Sequence, residues 1–316
     1  MIMENQQPPT KGPFEAKVSF NKKIIEGFYR MGLQFTGAGA EAFGGTRPGQ
    51  FAEFDLSNVA LPAPEAIPED LKDIAAKKIL LRRPFSFAKV QKDKGTTNAE
   101  IIYCVLGPAT LRMTSLVKGN TISILGPLGK GYTIPKGKKR ALLVAGGMGS
   151  PPLEHLAQVL TAESSTIDAI AFAGAKTACN LPFEKRLDNI SRELGFWLGE
   201  FGKYSISSFV ATDDGSTGFK GTVTECLLNW LSLNTPLPPE TIISACGPNA
   251  MLASIAKVAA DKKIDCQVCT EEMMACGIGL CQSCVIKSKV AAGPGQSTFK
   301  LCCKDGPVFD SRDVVF

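Results

Sequence analysis

Histidine is nearly missing from this chain: 316 residues hold one, His155, beside two tryptophans and four tyrosines. His155 falls in the first helix expected after a glycine turn, where packing or surface exposure accounts for it. No acid/base pair stands out elsewhere, so nothing in the chain is suited to oxidising a carbon substrate. Apolar runs of membrane-spanning length are also missing. The opening residues, Met-Ile-Met-Glu-Asn-Gln-Gln-Pro-Pro, carry neither a basic flank nor an apolar stretch for export, so the cytoplasm is the expected compartment. No Lys/Arg block with interleaved aromatics occurs, and a net charge of +5 over 35 basic and 30 acidic residues is mild, which argues against nucleic acid as a partner. With 44% hydrophobic and 21% charged residues, the chain reads as globular, with room for about two domains and a small module.

Cysteine, by contrast, is plentiful. There are 11, an odd number, crowded toward the carboxyl end, and without a leader for export a disulfide framework explains them poorly. A metal explains the crowding better. The stretch Glu-Glu-Met-Met-Ala-Cys-Gly-Ile-Gly-Leu-Cys-Gln-Ser-Cys places Cys276, Cys281 and Cys284 in the C-x4-C-x2-C spacing of a plant-type [2Fe-2S] site, with Cys302 or Cys303 as the fourth ligand. Gly277 and Gly279 let a short loop curl tightly and aim backbone N-H groups at the sulfurs. Structural zinc is the competing reading, although it usually draws on two separated cysteine pairs. Cys266 and Cys269 have redox-motif spacing but fall on an expected strand, where their sulfurs diverge and packing is the simpler role.

Upstream, the pattern divides the chain into a loose tail (1–14), an antiparallel β-barrel domain (15–136), an α/β parallel-sheet nucleotide domain (137–270) and a small C-terminal cysteine module (271–316). Short β-type runs at 16–20, 27–35, 50–56, 79–89, 100–106 and 121–125 build the barrel. Two inserts, 36–47 and 57–73, read as surface loops with room for one short helix. Strands are expected at 141–145, 167–173, 204–210, 241–245 and 265–270, alternating with helices at 152–160, 181–193, 222–231 and 249–261. The last segment is too short for a large core of its own, so a cluster would hold it together.

Three motifs carry chemistry. In the barrel, Arg83-Pro84-Phe85-Ser86 offers on one strand a cation for a diphosphate, a flat face for a ring system and a hydroxyl for a ring nitrogen. Turns at Gly107-Pro-Ala-Thr110 and at Gly126-Pro-Leu-Gly129 permit close approach of a phosphate or flat cofactor. Second, Leu142-Leu-Val-Ala-Gly-Gly147-Met-Gly149-Ser-Pro-Pro152 runs strand, glycine turn, helix, the local arrangement that exposes N-H groups to phosphate. Third, Cys246-Gly247-Pro248 follows another strand at the carboxyl edge of the sheet, where open α/β sheets bind ligands. The turn Thr212-Asp-Asp-Gly-Ser216 lies at the same edge and reads as an Asx-type turn within reach of ribose hydroxyls.

In this order the motifs resemble the ferredoxin-NADP reductase superfamily, and the tail from Met274 to Cys284 with Cys303-Lys-Asp-Gly-Pro-Val-Phe309 resembles the electron-transfer (FAD and [2Fe-2S]) subunits of NAD-dependent dihydroorotate dehydrogenases. The resemblance covers about residues 15–316. It implies that Arg83, Pro84, Phe85, Ser86, Gly107, Thr110, Gly126 and Gly129 serve FAD, and that Gly147, Gly149, Cys246, Gly247 and Pro248 serve NAD(H). Cys276, Cys281 and Cys284 would hold the cluster; Cys302 and Cys303 on a strand would point to opposite faces, so only one can join them, and the family's Cys-Lys-Asp-Gly-Pro favours Cys303. The nicotinamide would meet the flavin near Ser86 and Cys246, the two residues expected to be catalytic. The insert at 57–73 makes this chain longer than the family pattern. The implied partner is an FMN-containing dihydroorotate dehydrogenase catalytic subunit, in a heterotetramer.

Nicotinamide exchanges two electrons as hydride whereas a [2Fe-2S] cluster takes one at a time, so a flavin between them is the physical reason for joining these three parts. The expected function is electron transfer between a dihydroorotate-oxidising subunit and NAD in pyrimidine biosynthesis. The alternatives are an NAD(P)H-linked diaphorase subunit of a hydrogenase, sulfite reductase or ferredoxin:NADP oxidoreductase complex, and a cofactor-free zinc scaffold. No acidic residue is plainly placed to grip a ribose 2′-hydroxyl and Lys176 tolerates a phosphate, so the residues leave NAD and NADP open. The purified protein is expected to be coloured by flavin and iron; a colourless sample containing zinc would establish the scaffold instead.

Overall fold

The computed structural model describes residues 11–162, 167–183, 198–289 and 298–316. Six strands close an antiparallel barrel: β1 (Gly12–Ile25), β2 (Phe28–Thr36), β3 (Phe51–Phe54), β4 (Arg83–Asp93), β5 (Thr96–Cys104) and β6 (Thr121–Leu128), in the order β1-β2-β5-β4-β3-β6. All six expected runs are found here, their ends shifted by a few residues. Alternation decides the faces: in β5, Ala99 and Ile101 turn inward to join Met31, Leu33, Phe35, Phe54 and Phe87.

The insert at 36–47 is not a surface loop. It contains helix α1 (Gly37–Gly44), whose Phe43 is fully buried and stacks on Phe35 at 4.0 Å, with the Phe87 ring edge-on at 5.7 Å. Its small residues, Gly39, Ala40 and Ala42, let the helix backbone come close enough for Phe43 to fill the barrel. Burying such a ring contributes about 1.5–3 kcal/mol. The second insert stays at the outside. It ends in α2 (Lys72–Ala75), and Leu71 and Ala75 form a small apolar layer with Leu111 of α3 (Pro108–Met113). Arg112 ties this layer down by donating to Ala75 O at 2.7 Å.

The following strands are β7 (Arg140–Gly146), β8 (Asp168–Ala175), β9 (Ser207–Thr212), β10 (Phe219–Lys220), β11 (Thr241–Cys246) and β12 (Asp265–Cys269). They are covered by α4 (Ser150–Leu160), the short α5 (Gly199–Gly202), α6 (Val223–Leu233) and α7 (Asn249–Lys262). Helix α6 starts with a capping box in which Thr222 and Glu225 satisfy each other's backbone N-H groups. The helix expected at 181–193 falls largely outside the described residues.

The C-terminal segment adds β13 (Val285–Lys287), β14 (Phe299–Leu301), α8 (Cys302–Asp305) and β15 (Val308–Asp310). Strand β15 pairs antiparallel with β12, giving the sheet order β10-β9-β8-β7-β11-β12-β15. Cys284, Ile286, Cys302, Cys303, Phe309 and Val314 share one apolar cluster with Leu252, Ile255 and Val268 of the α/β sheet. The tail therefore borrows the larger domain's core, and apolar packing supports it before any metal does. Among the described residues no helix is long and apolar enough to cross a membrane.

Barrel and sheet meet along a charged seam. Arg30 of β2 donates to both carboxylate oxygens of Glu154 on α4, at 3.0 and 2.8 Å, and to Glu100 at 2.9 Å, while Lys203 reaches Glu154 from the other side. Burial opposes the charge on Arg30, but the Glu154 and Glu100 carboxylates more than compensate and raise its pKa. Gln158 of α4 adds two hydrogen bonds to the Val90 backbone of β4. Glu154 has no exposed surface, so Glu154→Gln, which leaves Arg30 partly uncompensated, is expected to cost about 3 kcal/mol in denaturant unfolding. The double change Arg30→Met with Glu154→Leu is expected to recover most of that loss.

Candidate functional site

The first strand of the α/β sheet, β7, lies between β8 and β11, so the crossovers leave it in opposite directions and open a crevice at its carboxyl end. Glycine makes the crevice narrow. A Cβ on Gly149 would lie 2.0 Å from Cys246 O, and one on Gly146 would lie 2.5 Å from the Met251 sulfur. The turns after β7 and β11 therefore touch.

Facing them is the barrel strand β4, and together they bound a cleft of about 460 Å³, within the size range of cofactor sites. Pro84, Phe85, Ser86 and Thr110 line it from the barrel, and Gly149, Cys246, Gly247 and Pro248 from the sheet. Phe85 is held by edge-on contacts with Phe54 (5.0 Å) and Tyr103 (6.5 Å), which fix a flat apolar wall. Thr110 Oγ1 accepts from the Leu106 and Gly107 N-H groups at 3.0 and 3.3 Å and so closes its own turn.

Five residues expected at cofactors are not part of this lining. Arg83 folds back to donate to Leu81 O and Arg82 O at 2.8 and 3.1 Å. Gly107 begins the Thr110 turn, and Gly147, with φ +51°, has open space where a side chain would be. Gly126 is a packing glycine beneath Phe43 and Ala52. Gly129, at φ +74°, admits the C-terminal segment: a Cβ there would lie 2.6 Å from Pro307. The Thr212–Ser216 turn is the Asx type, with Asp214 Oδ1 accepting from Ser216 N at 2.9 Å.

The cleft continues along Thr270, Glu271, Glu272 and Met274 to the mouth of the cysteine loop. Gly277 and Gly279 take positive φ (+67° and +85°), as the tight curl requires. The thiols stand as two pairs. Cys281 N-H points at Cys276 Sγ (3.4 Å), and Cys303 N-H points at Cys284 Sγ (3.4 Å). Cys281 is exposed, and hydrogen bonding from Ser283, helped by Cys276, pulls its thiol down to about 6. Cys303 is pushed up to about 12 by burial and by the neighbouring Cys284. No group of three or more His, Cys, Asp or Glu side chains among the described residues is arranged to hold a metal ion. Two thiol pairs side by side suit a binuclear cluster, which takes two thiolates at each iron.

One expectation about these cysteines is corrected and one holds. Cys302 and Cys303 begin the short helix α8 and are not on a strand. The turn still separates them: Cys302 Sγ faces Thr270, 3.5 Å from both its hydroxyl and its carbonyl oxygen, while Cys303 faces Cys284. On β12, Cys266 Sγ interacts with Ser311 and Cys269 Sγ with Cys246 and Tyr132, so the two sulfurs do diverge. His155 is buried, and desolvation lowers it to about 3, which keeps it neutral.

Sequence reasoning missed Glu53. It sits in β3 among Phe51, Ala52 and Phe54, wholly buried, and neither carboxylate oxygen has a hydrogen-bond partner. Its side chain lies against the cysteine loop: a Cβ on Gly277 would be 2.7 Å from Glu53 Cγ. A lone carboxylate inside a four-residue apolar strand was the available signal. Burial lifts its pKa to about 7, against the opposing pull of Arg83 and Arg82.

Known proteins resemble this chain in its cysteine segment and along most of its length. Residues 271–315 match the model of the iron-sulfur cluster binding domain of dihydroorotate dehydrogenase B. The dihydroorotate dehydrogenase B (NAD(+)) electron transfer subunit of Caldanaerobacter subterraneus subsp. tengcongensis is 30% identical over 302 residues, 96% of this chain and 98% of that protein. Its counterpart in Listeria innocua is 36% identical over 239 residues, 75% of this chain and 82% of that one. Among solved structures, the NADH-dependent reduced ferredoxin-NADP oxidoreductase superposes with a TM-score of 0.70 at 24% identity, covering 95% of this chain and 89% of that chain, a likeness of fold.

Because folding raises the Glu53 pKa, the folded protein binds more protons than the unfolded chain between about pH 4.5 and 7, and stability falls as pH rises through that window. Glu53→Gln is expected to flatten this slope and to be more stable than wild type at pH 8 by about 1–3 kcal/mol, read from denaturant midpoints at pH 5, 6.5 and 8.

Proposed function

This chain belongs to the family of electron transfer subunits of dihydroorotate dehydrogenase B (NAD(+)), and on that premise we propose that it carries electrons between a catalytic subunit oxidising dihydroorotate to orotate and NAD. The observation that carries the reading is the continuity of one cleft from the Pro84-Phe85-Ser86 strand, past the Cys246 turn, to the mouth of the cysteine loop. FAD fits the barrel side, NAD(H) the sheet side, and a [2Fe-2S] cluster the thiol pairs Cys276/Cys281 and Cys284/Cys303. Bound flavin supplies the exchange of a hydride with nicotinamide and of single electrons with the cluster.

The chain's own residues position and insulate. Phe85, braced by Phe54 and Tyr103, gives the flat wall against which a ring system is held. Ser86 offers a hydroxyl, and Cys246 a small side chain, at the place where nicotinamide and flavin must come within contact. Met148, Pro151 and Met274 line the same space and keep water from it. In the loop, the Cys281 and Cys303 N-H groups point at sulfur, the kind of hydrogen bond that sets a cluster's potential. The oxidising subunit carries FMN, the assembly is a symmetric heterotetramer, and it works in the cytoplasm in pyrimidine biosynthesis.

Two measurements test this. Mixed with its dihydroorotate dehydrogenase catalytic subunit, the protein is expected to support NAD(+)-dependent orotate formation at least tenfold above either subunit alone. Co-purification with a hydrogenase or sulfite reductase instead would redirect the assignment. For the thiols, Cys303→Ala is expected to lose more than nine-tenths of the dithionite-induced EPR signal while Cys302→Ala keeps at least half. The reverse pattern would make Cys302 the fourth ligand.

A further inference from the structure

Cys246 and Cys269 are direct partners across the parallel pair β11 and β12, in the register Ala245↔Val268, Cys246↔Cys269. Side chains opposite each other on adjacent strands project to the same face, and these two end at the cleft, which both residues line. Neither is paired as a disulfide, and their thiols interact directly. Tyr132 lies against Cys269 as well, its hydroxyl anchored on Ala245 O at 2.9 Å. Neighbouring strands stand about 4.8 Å apart, inside the Cα separation that a disulfide spans. The two thiols differ in access: Cys246 is partly exposed in the cleft, Cys269 is 4% exposed.

We propose that Cys246 and Cys269 form a reversible redox modification site, at which hydrogen peroxide oxidises the accessible Cys246 and the buried Cys269 resolves it to a disulfide that shuts the nicotinamide side of the cleft. In the first step peroxide converts the Cys246 thiol to a sulfenic acid and releases one water. In the second, the Cys269 sulfur attacks the sulfenic sulfur, the S-O bond breaks, and hydroxide leaves with the Cys269 proton as a second water. Two thiols and one peroxide thus give one disulfide and two waters. A dithiol reductant reverses the change by thiol-disulfide exchange.

The consequence for nicotinamide follows from Gly247 and Gly149. The turn carrying Cys246 already touches the β7 turn, with Cys246 O 2.0 Å from a Cβ built on Gly149. The backbone there has no room to shift, so joining two sulfurs that both line the cleft changes the wall that nicotinamide would meet. This effect on hydride exchange rests on the function proposed above; formation of the bond does not.

The test treats holoprotein with stoichiometric hydrogen peroxide and maps thiols by mass spectrometry under non-reducing conditions. Bleaching of bound flavin by NADH and by dithionite is followed in parallel. The expected result is a linked 246–269 peptide 2 Da lighter than its reduced pair, at least a tenfold slower bleach by NADH with the dithionite bleach unchanged, and recovery with dithiothreitol. Cys269→Ser, treated in the same way, is expected to give no linked peptide and, against its own rate before treatment, no tenfold slowing of the NADH bleach. Absence of the linked peptide while other cysteines are oxidised would overturn the site, and a linked protein that bleaches at the untreated rate would overturn the shutting of the cleft. A preparation that never bleaches with NADH counts against the proposed function, and the peptide map still decides the thiol chemistry.

Discussion

Everything in this molecule depends on two backbone turns being able to touch. At the carboxyl end of the sheet the chain leaves β7 through Gly146–Gly149 and β11 through Cys246–Pro248, and no side chain fits between them. The parallel sheet creates a crevice there whatever its sequence, because successive crossovers leave to opposite sides of β7. Glycine then brings the crevice walls close enough to hold a flat molecule rather than a bulky one. The barrel supplies the opposite wall.

Holding that wall in place requires the two domains to keep one orientation, and the charged seam does this. Arg30, Glu154, Glu100 and Lys203 bring charges from β2, α4, β5 and the segment after α5 into one contact. Such a cluster adds little net stability over an apolar equivalent, but it is costly to break one partner at a time. Its value here is orientation: a bidentate Arg-carboxylate pair tolerates little sliding, whereas an apolar seam would accept several registers. The Gln158–Val90 hydrogen bonds fix the same helix against β4, the strand that carries Phe85 and Ser86.

The cysteine segment illustrates how a short tail acquires a fold. Strand β15 completes the sheet edge beside β12, and Cys284, Ile286, Cys302, Cys303, Phe309 and Val314 enter a core that α7 and β12 already provide. The loop bearing Cys276 and the exposed Cys281 is then left to follow its glycines. Glu53 of the barrel is in contact with that loop, so the barrel, the sheet and the thiols meet within a few residues of one another.

Much of this was legible in the residues. The six barrel runs, the strand-turn-helix units and the thiol spacing all appear in the one-dimensional pattern, because alternation and glycine placement are local properties of a chain. Boundaries slipped where burial overrode composition: the Gly/Ala-rich 37–44 looks like loop by propensity, yet Phe43 makes it a plug. The separation of Cys302 from Cys303 was expected from alternation on a strand and came instead from a helical turn, which parts neighbouring side chains by about 100°. What the sequence by itself determined was the kind of element at each position and the chemistry each could offer. Only the tertiary structure decided that Cys246 lies beside Cys269, that Glu53 reaches the cysteine loop and that Arg30 finds Glu154, because those neighbours are set by strand order and helix docking, which bring together residues up to 224 positions apart.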